Sequence, residues 1–235
     1  MYYPMYFDPT YILIIIGMII SLIAQAGVKS TFAKFTRVSN MRNLTGAEAA
    51  QRILHGAGIY DVRIEHIAGD LTDHYDPRGK VLRLSDSVYG SSSVAAVGVA
   101  AHECGHAIQH AKGYGPIKFR NLLVPVANFG AKIAWPLILL GLFITSDSAM
   151  ILIDLGIIAF SAAVLFHIVT LPVEFNASHR AIRIIADTGM MQGEEIKGAK
   201  KVLTAAAMTY VASAATAVLQ LLRIILLTRG RRRND

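Results

Sequence analysis

The residues Ala101-His102-Glu103-Cys104-Gly105-His106 set two histidines four positions apart, with a glutamate directly after the first. On a helix, positions i and i+4 lie about 40° apart around the axis and one turn apart along it, so the two imidazoles can share one ion. Zinc accepts two such nitrogens, a third protein ligand and an open position for water. A glutamate at i+1 stands beside that water. It can take the proton as zinc-bound water attacks a carbonyl and pass it to the leaving amine. The spacing predicts His102 and His106 as metal ligands and Glu103 as the catalytic base. The pattern arises by chance on the order of once in a hundred chains with this histidine content. A His-Glu-His triplet in an otherwise apolar helix would also be costly to bury without a partner.

The neighbouring side chains are weaker candidates. Cys104 is two positions from His102, about 200° round the helix, and is expected to face away as a small buried filler. His110 continues the series at i+8 but lies about 12 Å along the axis from His102. A surface or supporting position suits it better than a ligand position. Glu174 can approach from a different direction, in Leu171-Pro172-Val173-Glu174-Phe175-Asn176-Ala177-Ser178, where an apolar run meets a polar one. On a helix, Glu174, Ala177, Ser178 and Ala181 share a face whose small residues permit close packing. Two readings of Glu174 stand at this point: third ligand, or a first-turn glutamate favoured by the helix dipole.

The elements that must carry these residues are mostly apolar. The chain has 235 residues, 54% of them apolar and 17% charged, against about a quarter charged in soluble domains. The deficit lies in long runs, which predicts a mainly α integral membrane protein with a small β element. Its zincin-like site would be built on three or four membrane helices. Five segments are expected: an anchor over residues 1–28, a first catalytic segment with the HExxH helix over 29–121, a membrane hairpin over 122–171, a second catalytic segment with Glu174 over 172–201, and an apolar helix with a basic tail over 202–235. Pro125 and Pro136 are expected to kink the hairpin's first helix. Pro172 is expected to start a separate polar helix.

Within residues 29–121, Thr45 and Glu48 form a capping-box pattern for a helix ending near Gly56. Residues 61–67 alternate as a strand, Asp76-Pro77-Arg78-Gly79 is a turn, and residues 80–84 alternate again. The last stretch is read either as an edge strand that holds an extended substrate or as one arm of a structural hairpin. Ser91, Ser92 and Ser93 offer N-caps for a helix over residues 94–112. The link Ser146-Asp147-Ser148 has no positive charge.

Charge gives the orientation. Residues 1–10 contain no Lys or Arg, whereas Lys29, Lys34, Arg37 and Arg42 follow the first apolar run. This contrast favours a retained anchor with its N-terminus outside over a cleaved signal peptide, despite the signal-like Ala24-Gln25-Ala26. It also places both polar segments in the cytoplasm. Around the last helix, Lys197, Lys200 and Lys201 on one side balance residues 229–233 on the other, so charge does not orient it. The net charge of +7 sits beside apolar runs, which fits anionic lipid and excludes a nucleic-acid partner. A single cysteine rules out an intrachain disulfide.

Three stretches carry a family resemblance: Leu71-Thr72-Asp73-His74-Tyr75-Asp76-Pro77, the run from Ala100 to His110, and residues 171–181. The sequence resembles the YugP-type membrane zinc metallopeptidases and, more distantly, the HtpX and CAAX-prenyl-protease zincins. The resemblance implies a membrane zinc metallopeptidase; taken with the charge pattern, the expectation is one zinc per chain in a prokaryotic cell membrane, with peptides or membrane proteins as substrates at the cytoplasmic face. It maps the third zinc ligand onto Glu174. In the HtpX-like pattern an acid follows four residues later; here that position is Ser178, with Asn176 nearby as a substitute partner.

The competing classes are a non-enzymatic membrane scaffold with a structural zinc site, which would not need Glu103, and a metal transporter, which would need ionisable groups in several spans. His167 is nearly alone within a predicted span. His74, His179 and Arg180 are candidates for oxyanion stabilisation.

Overall fold

A computed structural model describes residues 8–144 and 148–232. The readings made above on residues 1–7, Ser146, Asp147 and Arg233 lie outside the described residues. The elements in order are α1 (Tyr11–Thr36), α2 (Gly46–Gly56), β1 (Arg63–Ile67), β2 (His74–Asp76), β3 (Val81–Ser85), α3 (Val94–Ala111), α4 (Gly115–Phe143), α5 (Ser148–Asp187) and α6 (Glu194–Arg232). Among the described residues, four helices are long and apolar enough to cross a membrane: Tyr11–Thr36, Gly115–Phe143, Met150–Asp187 and Glu194–Thr228. The expected class, a mainly helical membrane protein with a small β element, is what the chain forms.

The chain divides into two units. The first comprises residues 1–23, 120–169 and 211–235. Its helices expose large apolar side chains, among them Leu122, Phe129, Ile158 and Phe143. Such a surface is a liability in water and suits lipid. Small residues let these helices approach: Gly130 lies against the Ala159 backbone with no room for a Cβ.

The second unit comprises residues 24–119 and 170–210 and carries the predicted chemistry. The Thr45–Glu48 capping box forms in full and starts α2. Ser93 caps α3 by accepting the Ala96 N–H at 3.1 Å. The buried Asn40 side chain bonds the Leu44 backbone in both directions, at 2.8 and 3.0 Å, while its own N–H reaches the Ser92 carbonyl at 2.9 Å. It thereby ties the chain after α1 to the start of α3.

The sheet order is β1-β3-β2, with β3 parallel to β1 and antiparallel to β2. This corrects the edge-strand reading of residues 80–84. β3 is the central strand, its Val81, Leu82 and Leu84 are buried, and its backbone is paired on both sides. The edge strand beside it is β2, which alternation could not reveal because it has only three residues, all half-buried. The turn before β3 forms as read, with Asp76 Oδ1 accepting the N–H groups of Arg78 and Gly79 at 2.9 and 3.2 Å.

A second difference concerns Pro172. The helix does not restart there; α5 runs continuously through it. Proline removes one hydrogen bond, to the carbonyl of Ile168, but its ring lies on the exposed face. The face that follows, Val173, Ala177, Ala181 and Ile185, is fully buried, and that packing holds the helix together. α3 is buried on nearly every side and meets α5 where a Cβ on Gly105 would stand 2.7 Å from the Ala177 carbonyl oxygen.

Gly105→Ala should therefore force two backbones apart and lower stability by about 1–3 kcal/mol, despite alanine's better helix propensity. Gly98→Ala, whose added Cβ would meet Ala199 at ordinary contact distances of 3.4 Å and more, should be neutral or stabilising. Thermal melting of both variants in detergent checks this. Equal melting temperatures would reject the close-contact argument.

Candidate metal centre

The packing of α3 on α5 brings together residues about seventy positions apart in sequence. Nε2 of His102 lies 3.3 Å from Glu174 Oε2, and Nε2 of His106 lies 3.4 Å from the same oxygen. The two imidazole rings stand 4.8 Å apart, edge to face. One ligand atom from each of His102, His106 and Glu174 lies within 4.8 Å of the others. Ligands at about 2.0–2.1 Å from a tetrahedral zinc would stand roughly 3.3–3.4 Å from one another, so the two imidazole–carboxylate separations fit that ion.

The outer nitrogens are spoken for. His102 Nδ1 lies 3.1 Å from Ser178 Oγ, and His106 Nδ1 lies 3.0 Å from Gln109 Oε1. Gln109 is completely buried. Its amide nitrogen donates to the Val173 carbonyl at 2.8 Å and to Asn176 Oδ1 at 3.0 Å. Both of its donors are then used, so its oxygen faces His106 as an acceptor, and the proton of His106 sits on Nδ1. The lone pair on Nε2 then points at a carboxylate oxygen. Two acceptors at 3.4 Å repel unless a cation or a proton stands between them.

The titration behaviour agrees. Burial favours the neutral form of His106. The hydrogen bond to Glu174 and the charges of Glu103 and Glu174 outweigh it and raise the pKa above the ordinary imidazole value.

Glu103 lies beside this cluster and is 9% exposed. Burial pushes its carboxyl above the usual range, while His102 and His106 pull it back. Its Oε2 accepts the backbone N–H of Tyr75 at 3.0 Å. That N–H points outward from β2, so the sheet edge orients Glu103. The loop before β2 is pinned by Asp73, whose carboxylate accepts the Ser85 N–H at 2.7 Å and the Ser85 hydroxyl at 2.9 Å.

The other candidates stand elsewhere. His110 is exposed, with its ring 6.1 Å from that of Tyr75. Cys104 is buried and its Sγ donates to the Ala50 carbonyl at 3.6 Å; burial pushes its thiol well up. His74 is held between the Thr72 carbonyl at 2.9 Å and Arg83 at 3.3 Å. His179 is exposed, and Arg180 donates to Asn176 at 2.7 Å while lying 5.8 Å from the Tyr114 ring. His167, on α5, has the ring of its neighbour Phe166 at 5.9 Å. The sequence reading missed Gln109. Its signal was a polar side chain at i+3 from His106 within an apolar helix.

Residues 10–229 match a family described as "Putative neutral zinc metallopeptidase". The chain is also 49% identical over 208 residues to a Bacillus subtilis (strain 168) protein named "Putative membrane protease YugP", covering 88% of this chain and 91% of that one. No solved structure matches the chain.

Gln109→Leu removes the acceptor on His106 and two bonds to α5 at once. Zinc affinity should fall about 10- to 100-fold, the usual cost of losing a group that orients a metal-binding histidine. Competition with a chromogenic chelator on folded protein measures it. Wild-type affinity would show that Gln109 only fills space.

Proposed function

Because the chain belongs to this zinc metallopeptidase family, we propose that it hydrolyses peptide bonds, with His102, His106 and Glu174 holding one zinc ion and Glu103 as general base. The observation that carries this reading is the buried Glu103 carboxylate, held by the Tyr75 N–H next to two imidazoles whose outer nitrogens are already bonded. A zinc site that only tied helices together would fill its fourth position and would not need such a base.

Zinc, when bound, lowers the pKa of water and polarises a carbonyl. The protein's own groups do the rest. Ser178 Oγ and Gln109 Oε1 accept the Nδ1 protons of His102 and His106, which directs both Nε2 lone pairs to the ion. Glu103 takes the proton of the attacking water on a carboxylate oxygen and delivers it to the leaving amine. Its raised affinity for protons, a consequence of burial, suits it to that task. The substrates are peptides or membrane proteins presented at the bilayer. The positive charge that follows the first apolar run supports a cytoplasmic location for the catalytic segments, in a prokaryotic cell membrane.

Purified protein should hold one zinc per chain and lose cleavage on chelation. Glu103→Gln should keep the zinc and lose activity by about 10²–10⁴-fold. Glu174→Ala should lose most bound zinc and all turnover, whereas His110→Ala should keep its metal. Metal content and cleavage of a membrane-protein substrate are the readouts. Retained zinc in Glu174→Ala, with loss in His110→Ala, would reverse the assignment.

The orientation has its own test. Cys104 is buried and its thiol is held protonated, so the native chain should be silent to thiol reagents. A reporter cysteine at exposed Ser30 or Tyr60 should escape an impermeant reagent in intact cells and react once the membrane is opened. Reaction in intact cells would put these segments outside.

A further inference from the structure

A cavity of about 590 Å³ in the second unit is lined by Thr31, Lys34 and Phe35 of α1 and by Lys197, Lys200, Lys201, Thr204 and Ala205 of α6. Lys197 is paired with Glu194 at 2.7 Å. Lys34 and Lys200 have no carboxylate partner among the described residues, Lys201 acts on Glu194 only through space, and all three are exposed. None of them is used by the candidate metal centre. We propose that this pocket seats the phosphate of an anionic membrane phospholipid.

The level of the pocket along both helices points to a lipid. α1 carries no charged residue from position 11 to position 28, a helical length of about 27 Å. α6 carries none from position 202 to position 222, about 32 Å. Each stretch matches the roughly 30 Å hydrocarbon core of a bilayer. The pocket lies where both stretches end and the lysines begin. That is the depth of a lipid headgroup, and basic pockets between membrane helices bind such groups.

The lining suits both parts of that ligand. Three ammonium groups and the hydroxyls of Thr31 and Thr204 surround a phosphate. Phe35 and Ala205 offer apolar surface to the glycerol and first acyl carbons. Lys34 already lies 5.7 Å from the Phe35 ring. Phe35 is itself fixed, since its ring fills the space beside Gly198. The apolar floor is therefore rigid while the lysine arms remain free to close on an anion.

Native mass spectrometry of the full chain in detergent, titrated with phosphatidylglycerol or phosphatidylcholine of equal chain length, tests this. Wild type should retain phosphatidylglycerol at concentrations where phosphatidylcholine dissociates. Each of Lys34→Gln, Lys200→Gln and Lys201→Gln should weaken retention about fivefold, and the triple variant on the order of a hundredfold. A control removing the same charge elsewhere, Arg63→Gln with Arg78→Gln and Lys80→Gln, should bind as wild type does. If the triple variant fails to fold, the single variants decide. Equal retention of the two lipids, equal weakening in the control, unchanged binding in the lysine variants, or displacement by millimolar inorganic phosphate would each overturn the proposal.

Discussion

His102 and His106 turn their inner nitrogens towards one Glu174 oxygen at 3.3 and 3.4 Å, inside the protein and with their outer nitrogens already bonded. With Gln109 spending both of its donors on α5, the inner nitrogen of His106 and the Glu174 oxygen are both acceptors. They can stay together only around a positive charge. This demand organises the unit around it. α3 must bring two imidazoles from adjacent turns, α5 must bring the carboxylate from the side, and the two backbones must come close enough for both to reach one point. Gly105 against Ala177 makes that approach possible.

The surrounding hydrogen bonds form one connected account. Gln109 links His106 to the Val173 carbonyl and to Asn176, and Asn176 accepts in turn from Arg180. A single buried amide thus sets the tautomer of one histidine and the spacing of both ligand-bearing helices. On the other side, β2 contributes one outward N–H, and Glu103 takes it. The small sheet thus holds the Glu103 carboxylate in place. β3 gives it a buried centre, and Asp73 on Ser85 fixes the loop from which β2 departs.

Much of this was legible in the sequence because the signals were local. The capping box of α2, the Ser93 cap and the alternation of β1 and β3 depend on neighbours in the chain, and HExxH states its own geometry through helical periodicity. What stayed hidden depends on distant partners. The position of β3 at the sheet centre follows from a three-residue strand too short to alternate. The continuity of α5 through Pro172 follows from burial of Val173, Ala177 and Ala181, which outweighs the one hydrogen bond that proline removes. Gln109 reads as an ordinary helical residue until its partners on α5, some seventy positions away, are in place.

Ser178 Oγ stands behind His102, and charge explains why a hydroxyl serves there. Two carboxylates already face the cluster, Glu174 and Glu103, and a divalent ion held among the ligands would balance them. A third carboxylate at position 178 would leave a net negative charge in a site with little water, and an unmatched buried charge is expensive. His102 needs only an acceptor for its Nδ1 proton, and Ser178 Oγ lies 3.1 Å away. The neutral acceptor orients the ring without adding charge. It also leaves Glu103 able to take up a proton, because burial raises its pKa while the bond from Tyr75 engages only one of its two oxygens. Orientation by neutral partners and a raised proton affinity at one carboxylate are thus two results of the same charge balance.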